Sequence, residues 1–127
     1  MGKYGDAAIK ANRTLLAGLA NSPSEAWSYA VGEIFPQSAS SQRKGCPRTA
    51  YLGLCEEGLI DGVPPGKYTR SSKNKSYAID AVKLLKQEPA LANDQELLWS
   101  KVIKCEKRKP NNQMDVVIAL WKENMIV

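Results

Sequence analysis

The chain has 127 residues, 43% of them hydrophobic and 24% charged, the composition of one soluble globular domain rather than a disordered segment. It contains no histidine, which removes the commonest general base, metal ligand and pH switch. Its formal charge of +5 is uneven: residues 1–61 carry six cationic and six acidic side chains, residues 62–127 twelve and seven.

Helical periodicity dominates. Tyr4, Ala8, Ala11, Leu15 and Leu19 recur at steps of three and four, one apolar stripe of an amphipathic helix. In Ser22-Pro23-Ser24-Glu25 the pattern predicts an N-cap at Ser22, proline at the first helical position and a capping box closed by Glu25. The helix that follows buries Ala26, Trp27, Ala30, Val31 and Ile34 and stops before Pro36. Pro47 suits the first position of a third helix with a stripe of Tyr51, Leu54 and Cys55. Gly58 closes it in left-handed geometry, and Leu59 and Ile60 fold back.

The second half repeats the scheme. Ser72 or Asn74 caps a helix presenting Ala78, Ala81, Val82 and Leu85; Asn93 caps one with Leu98, Trp99, Val102 and Ile103. Asn112 caps the last, with Met114, Val117, Ile118 and Trp121 inward, ending at Asn124 before Met125 and Ile126. Ala8-Ile9-x-Ala11 matches Ala78-Ile79-x-Ala81, and Trp27-Ser28 matches Trp99-Ser100. Leu54-x-x-Glu57-Gly58-Leu59-Ile60 matches Leu120-x-x-Glu123-Asn124-Met125-Ile126. The expected fold is therefore all-α: a single domain over 1–127, one compact bundle of about six helices. It is built of two similar three-helix units, 3–61 and 76–127, joined by a basic connector, 62–75. Each unit alone is too small for a sizeable core, so Tyr4, Trp27, Tyr51, Trp99 and Trp121 are expected in a shared one.

Several motifs fall short of chemistry. Gly62-Val63-Pro64-Pro65-Gly66-Lys67-Tyr68-Thr69 looks like a phosphate-binding loop but is one residue short. It also has Tyr68 where magnesium needs Ser or Thr, and follows no strand, so a stiff turning linker is the better reading. Glu56 and Glu57 lie about 100° apart on a helix and are not expected to converge on one bond. Glu57 recurs as Glu123 beside the same cap, where its charge opposes the helix dipole, so each is expected to have a partner such as the preceding loop. Cys46, Cys55 and Cys105 include no CxxC pair; no metal site and no cofactor are expected.

Two features carry functional readings. In Gly45-Cys46-Pro47-Arg48 a thiol stands at a helix start among Arg43, Lys44 and Arg48, conditions that favour a thiolate or hold an anion. The alternative is that Cys46 is simply a small N-cap residue. The other feature is the basic loops. If the halves share one architecture, loops 40–48 and 104–112 present Arg43, Lys44, Lys107, Arg108 and Lys109 together, with Arg48 beside them as a further anion-binding candidate. The connector adds Lys67, Arg70, Lys73 and Lys75, with Tyr68 available to stack on a base. The leading expectation is a non-enzymatic protein that binds nucleic acid or another anionic partner through these loops. The alternatives are a protein–protein adaptor or inhibitor with a helical docking surface, and a thiol-dependent enzyme or redox sensor at Cys46.

No apolar run approaches the ~20 residues of a membrane span, and nothing at the N-terminus reads as a signal peptide or myristoylation site. A cytoplasmic location and no membrane partner are expected. The run from Ser41 to Leu59, continuing through Pro64-Pro65-Gly66-Lys67-Tyr68-Thr69, resembles a family of small bacterial proteins with no assigned function. The opening Gly2-Lys3-Tyr4-Gly5 and closing Gln113-Met114-Asp115-Val116-Val117 extend the likeness. The resemblance implies a stand-alone bacterial protein and carries no activity, cofactor or site residue.

Overall fold

A computed structural model describes residues 2–104 and 106–127; Met1 and Cys105 lie outside the described residues. The fold is all-α. Its elements are α1 (Lys3–Leu16), α2 (Pro23–Ile34), a single turn α3 (Ala39–Gln42), α4 (Gly45–Glu56), α5 (Lys73–Gln87), α6 (Gln95–Ile103) and α7 (Gln113–Lys122). A 3-10 turn, Pro89–Asn93, joins α5 to α6. No helix among the described residues is long and apolar enough to cross a membrane.

The predicted stripes face one core. Ala8, Ala11, Trp27, Ala30, Tyr51, Leu54, Ala78, Ala81, Leu85, Leu98, Trp99, Met114, Val117 and Ile118 are all buried. Tyr51 stacks on Trp27 with ring centroids 5.7 Å apart, and Tyr77 meets Trp99 edge-on at 5.3 Å. Such pairs add about 0.5–1.5 kcal/mol to the burial of their area. Trp121 is only half-buried and packs at the margin.

Four local expectations need correction. Leu19 does not extend the α1 stripe: Gly18 takes φ +77°, the Leu19 amide returns to the Thr14 carbonyl, and the side chain is 78% exposed. The N-cap of α4 is Lys44, so Cys46 and Pro47 are its second and third residues; Pro47 has no amide hydrogen to lose there. Asp94, not Asn93, caps α6, accepting from the Leu97 amide at 3.1 Å. Pro89 turns the preceding residues into the 3-10 segment and moves the start one residue on. Asn112 precedes α7 with φ +71° and spends its side-chain amide on Asp115 rather than on a backbone cap.

The Ser22 side chain caps α2, accepting from the Glu25 amide at 3.1 Å, but among the described residues no return bond from the Ser22 amide to the Glu25 carboxylate closes the expected box. Gly58 and Asn124 take φ +73° and +58°. Leu59 N–H returns to the Leu54 carbonyl and Met125 N–H to the Leu120 carbonyl, each at 3.0 Å, the geometry of a left-handed C-terminal cap. The two returning tails pair with each other through an antiparallel Ile60–Ile126 bridge. Asp61 N–H donates to the Met125 carbonyl and Val127 N–H to the Leu59 carbonyl.

Two helix crossings are unusually close. A Cβ on Gly5 of α1 would lie 2.9 Å from Ala119 Cβ and from the Asp115 carbonyl oxygen of α7. A Cβ on Gly53 of α4 would lie 2.8 Å from Lys75 Cβ on α5. Helix α5 therefore seats tightly on α4 and brings Lys75 to the carboxylates that end α4.

A basic concavity strapped by Glu56

The connector after α4 is not a loose linker. Val63 is buried, and Gly66 N–H donates to the Glu56 carbonyl at 3.3 Å. The Glu56 carboxylate accepts from Tyr68 N–H at 2.8 Å and Thr69 N–H at 3.3 Å. Its second oxygen pairs with the Lys75 ammonium. Lys75 first, then the two amides, hold the Glu56 carboxyl down at about 2. Lys75 also reaches Glu57 at 2.7 Å. The neighbouring carboxylates thus do converge, on one ammonium, because long side chains overcome the 100° between their positions. The partner of Glu57 lies on α5 and not in the preceding loop; Glu123 correspondingly approaches Arg13 of α1 at 4.0 Å.

This strap positions the connector beside α4. Arg48 and Thr49 of α4, with Glu56 and the connector residues Lys67, Tyr68, Thr69, Arg70 and Ser71, line a surface concavity of about 730 Å³. Arg48 is half-buried and donates from Nη2 to Ser24 Oγ at 2.9 Å. Lys67 and Arg70 are exposed. Tyr68 is half-buried, its hydroxyl donating to the Pro64 carbonyl at 2.8 Å.

The interhelical loops also meet. Lys44 Nζ donates to Asn112 Oδ1 and lies 5.3 Å over the Tyr4 ring. The Asn111 side-chain amide approaches Cys46 Sγ at 3.4 Å. Loop 104–112 is tethered by Trp99 Nε1 donating to the Arg108 carbonyl at 3.0 Å. Arg108 lies 5.8 Å over the Tyr77 ring, and Lys73 pairs with Glu106 at 3.3 Å. Arg43, Lys107 and Lys109 are exposed and form no ion pair among the described residues. Lys75, by contrast, is committed to Glu56 and Glu57.

The two described thiols differ in access. Cys46 is half-buried at the start of α4, with the Asn74 and Asn111 amides at 3.6 and 3.4 Å from Sγ. Cys55 is fully buried, and burial pushes its thiol up to about 12. Iodoacetamide on the native protein at neutral pH is expected to label Cys46 while leaving Cys55 untouched, read by peptide mapping. Equal labelling of the two would mean that α4 opens readily.

Sequence reasoning missed the strap. The clue available was Glu56 beside a run of connector amides with no helix or strand of their own to satisfy them. The chain belongs to a family of unknown function, DUF6979, whose model matches residues 1–127. No curated protein and no solved structure matches it.

Proposed function

We propose that this protein is a non-enzymatic binder of an anionic partner, nucleic acid first among them, and that its basic loops and connector form the contact surface. The observation that carries this reading is the packing of three separate basic segments against one another at the N-terminal ends of α4, α5 and α7. Lys44 bonds Asn112, Lys73 bonds Glu106, and the connector runs beside Arg48. Lysine and arginine side chains so grouped match a row of phosphates, with an affinity set by counterion release. Fluorescence anisotropy of labelled single- and double-stranded oligonucleotides, at low and near-physiological salt, tests it. Binding is expected to weaken with salt. Replacing Lys107, Arg108 and Lys109 together by glutamine is expected to reduce the slope of log K against log salt by about 2–3. No binding at low salt would leave these charges a role in solubility alone.

We also propose that the chain is a tandem duplication of units 3–61 and 76–127. Support comes from the helix ends and the crossings. The alignment that pairs Ala8 with Ala78 and Leu54 with Leu120, carried one residue back from the second unit into the end of the connector, also pairs Gly5 with Lys75 and Ala119 with Gly53. The close contact of Gly5 with Ala119 and that of Lys75 with Gly53 are then one contact made twice, with α1 on α7 and α5 on α4.

A further inference from the structure

We propose that the concavity between α4 and the connector is a dedicated site for a terminal phosphate monoester of nucleotide size. The inference deepens the anion-binding reading and rests on it for the sign of the ligand's charge. Three cationic side chains, Arg48, Lys67 and Arg70, line one recess. The one carboxylate in its wall, Glu56, is already neutralised by Lys75 and has its remaining oxygen occupied by the Tyr68 and Thr69 amides. The lining therefore carries a net positive charge.

A monoester carries about −1.5 to −2 at neutral pH and three acceptor oxygens, which suits guanidinium forks better than a singly charged diester does. Arg48 is held by its bond to Ser24 Oγ, leaving its other N–H groups for a ligand. Thr69 Oγ1 accepts from Ser71 N–H at 3.2 Å and keeps its own hydroxyl hydrogen to donate, as Ser71 does. Thr49 is not a donor to the ligand, since its hydroxyl bonds the Gly45 and Cys46 carbonyls. The Glu56 strap holds the backbone between Lys67 and Arg70 through the Tyr68 and Thr69 amides, so binding has the two side chains to order but not the segment that carries them. A volume of about 730 Å³ exceeds what a phosphate alone fills and falls in the range of small-molecule sites. Tyr68 lines the same recess beside these cationic side chains.

A free nucleoside monophosphate and the 5′-phosphate end of an oligonucleotide share this chemistry. Titration with adenosine 5′-monophosphate, adenosine and inorganic phosphate is one arm. Titration with the same labelled oligonucleotide with and without a 5′-phosphate is the other. The monophosphate is expected to bind at least tenfold more tightly than adenosine, or the 5′-phosphate to tighten oligonucleotide binding at least fivefold. The gain is expected to vanish in Arg48→Gln/Arg70→Gln. Because Arg48 touches Ser24, the single variants Arg70→Gln and Lys67→Gln, both at exposed positions, repeat the test with thermal melting as the folding control. If the plain oligonucleotide binds with salt sensitivity but neither phosphate arm shows a gain, this site is refuted and the general reading stands. If the monophosphate binds through Arg70 while plain oligonucleotides do not bind, the site stands and the nucleic-acid reading falls. Silence in both arms overturns both.

Discussion

Valine at Gly53 is expected to destabilise the fold by about 3 kcal/mol and to lower Tm by roughly 10 °C. A Cβ at this position would meet Lys75 Cβ and Cγ at 2.8 Å and the Lys75 Cα at 2.9 Å. A flexible side-chain end can move aside, but the Cβ and Cα belong to the α5 backbone trace. The two helices must therefore separate, and the core residues between them lose contact. Gly53 is fully enclosed on a helix whose neighbours Leu52, Leu54 and Cys55 are all buried, so there is no solvent side to absorb the shift. Gly5→Val is expected to behave similarly, since its Cβ would meet the Asp115 carbonyl at 2.9 Å. Gly32 of α2 is the control: nothing lies within 4 Å of a Cβ there. Gly32→Ala is expected to stabilise by about 0.5–1 kcal/mol through helix propensity alone. Thermal melts of the three variants separate the effects by sign. A neutral Gly53→Val would mean that α4 and α5 are less tightly seated than their geometry implies.

Helix positions and inward faces were legible because they depend on period and local caps. Spacing alone places Trp27, Tyr51, Ala81 and Val117 in the core. The left-handed ends at Gly58 and Asn124 were read from residue type and the apolar pair that follows each. What spacing did not specify was which helix seats on which. The close approach at Gly53 depends on the Lys75 backbone of another helix, and a lone glycine in a helical stripe reads equally as a tolerated defect. Leu19 departs from its stripe because the apolar periodicity continues beyond the helix end, where Gly18 takes φ +77° and the chain turns away.

At the candidate site the cationic residues were visible as residues, but their division of labour was not. Lys75 reads as one more charge in the connector; in the fold it is spent on Glu56 and Glu57. Arg48 reads as part of the loop beside Cys46, yet it lines a recess with Lys67 and Arg70 from the connector. The first outcome comes from the seating of α5 on α4 at Gly53, the second from the path of residues 63–71 along α4. That path is set by backbone amides seeking an acceptor rather than by any side-chain pattern.

Neutralising that acceptor, which weakens its hold on the amides and on Lys75, gives the second large effect. Glu56→Gln is expected to destabilise by about 2 kcal/mol at neutral pH, the scale of losing hydrogen bonds to a charged group. It also alters the acid limb of stability. The Glu56 carboxyl sits at about 2 in the folded chain against about 4.3 for an unfolded glutamate. The unfolded state therefore binds the proton first as pH falls, and stability drops with it. The contribution is fully present above about pH 5 and is lost between there and pH 2. Urea unfolding of the native chain is expected to show this slope, and the glutamine variant a shallower one, so that the two curves converge toward pH 2. Hydrogen exchange localises the cause: the Tyr68 and Thr69 amides are expected to lose protection in the variant, while the α4 amides before Glu56 keep theirs. Parallel pH profiles with unchanged Tyr68 protection would show that the connector is held by Val63 and Tyr68 packing instead of by the carboxylate.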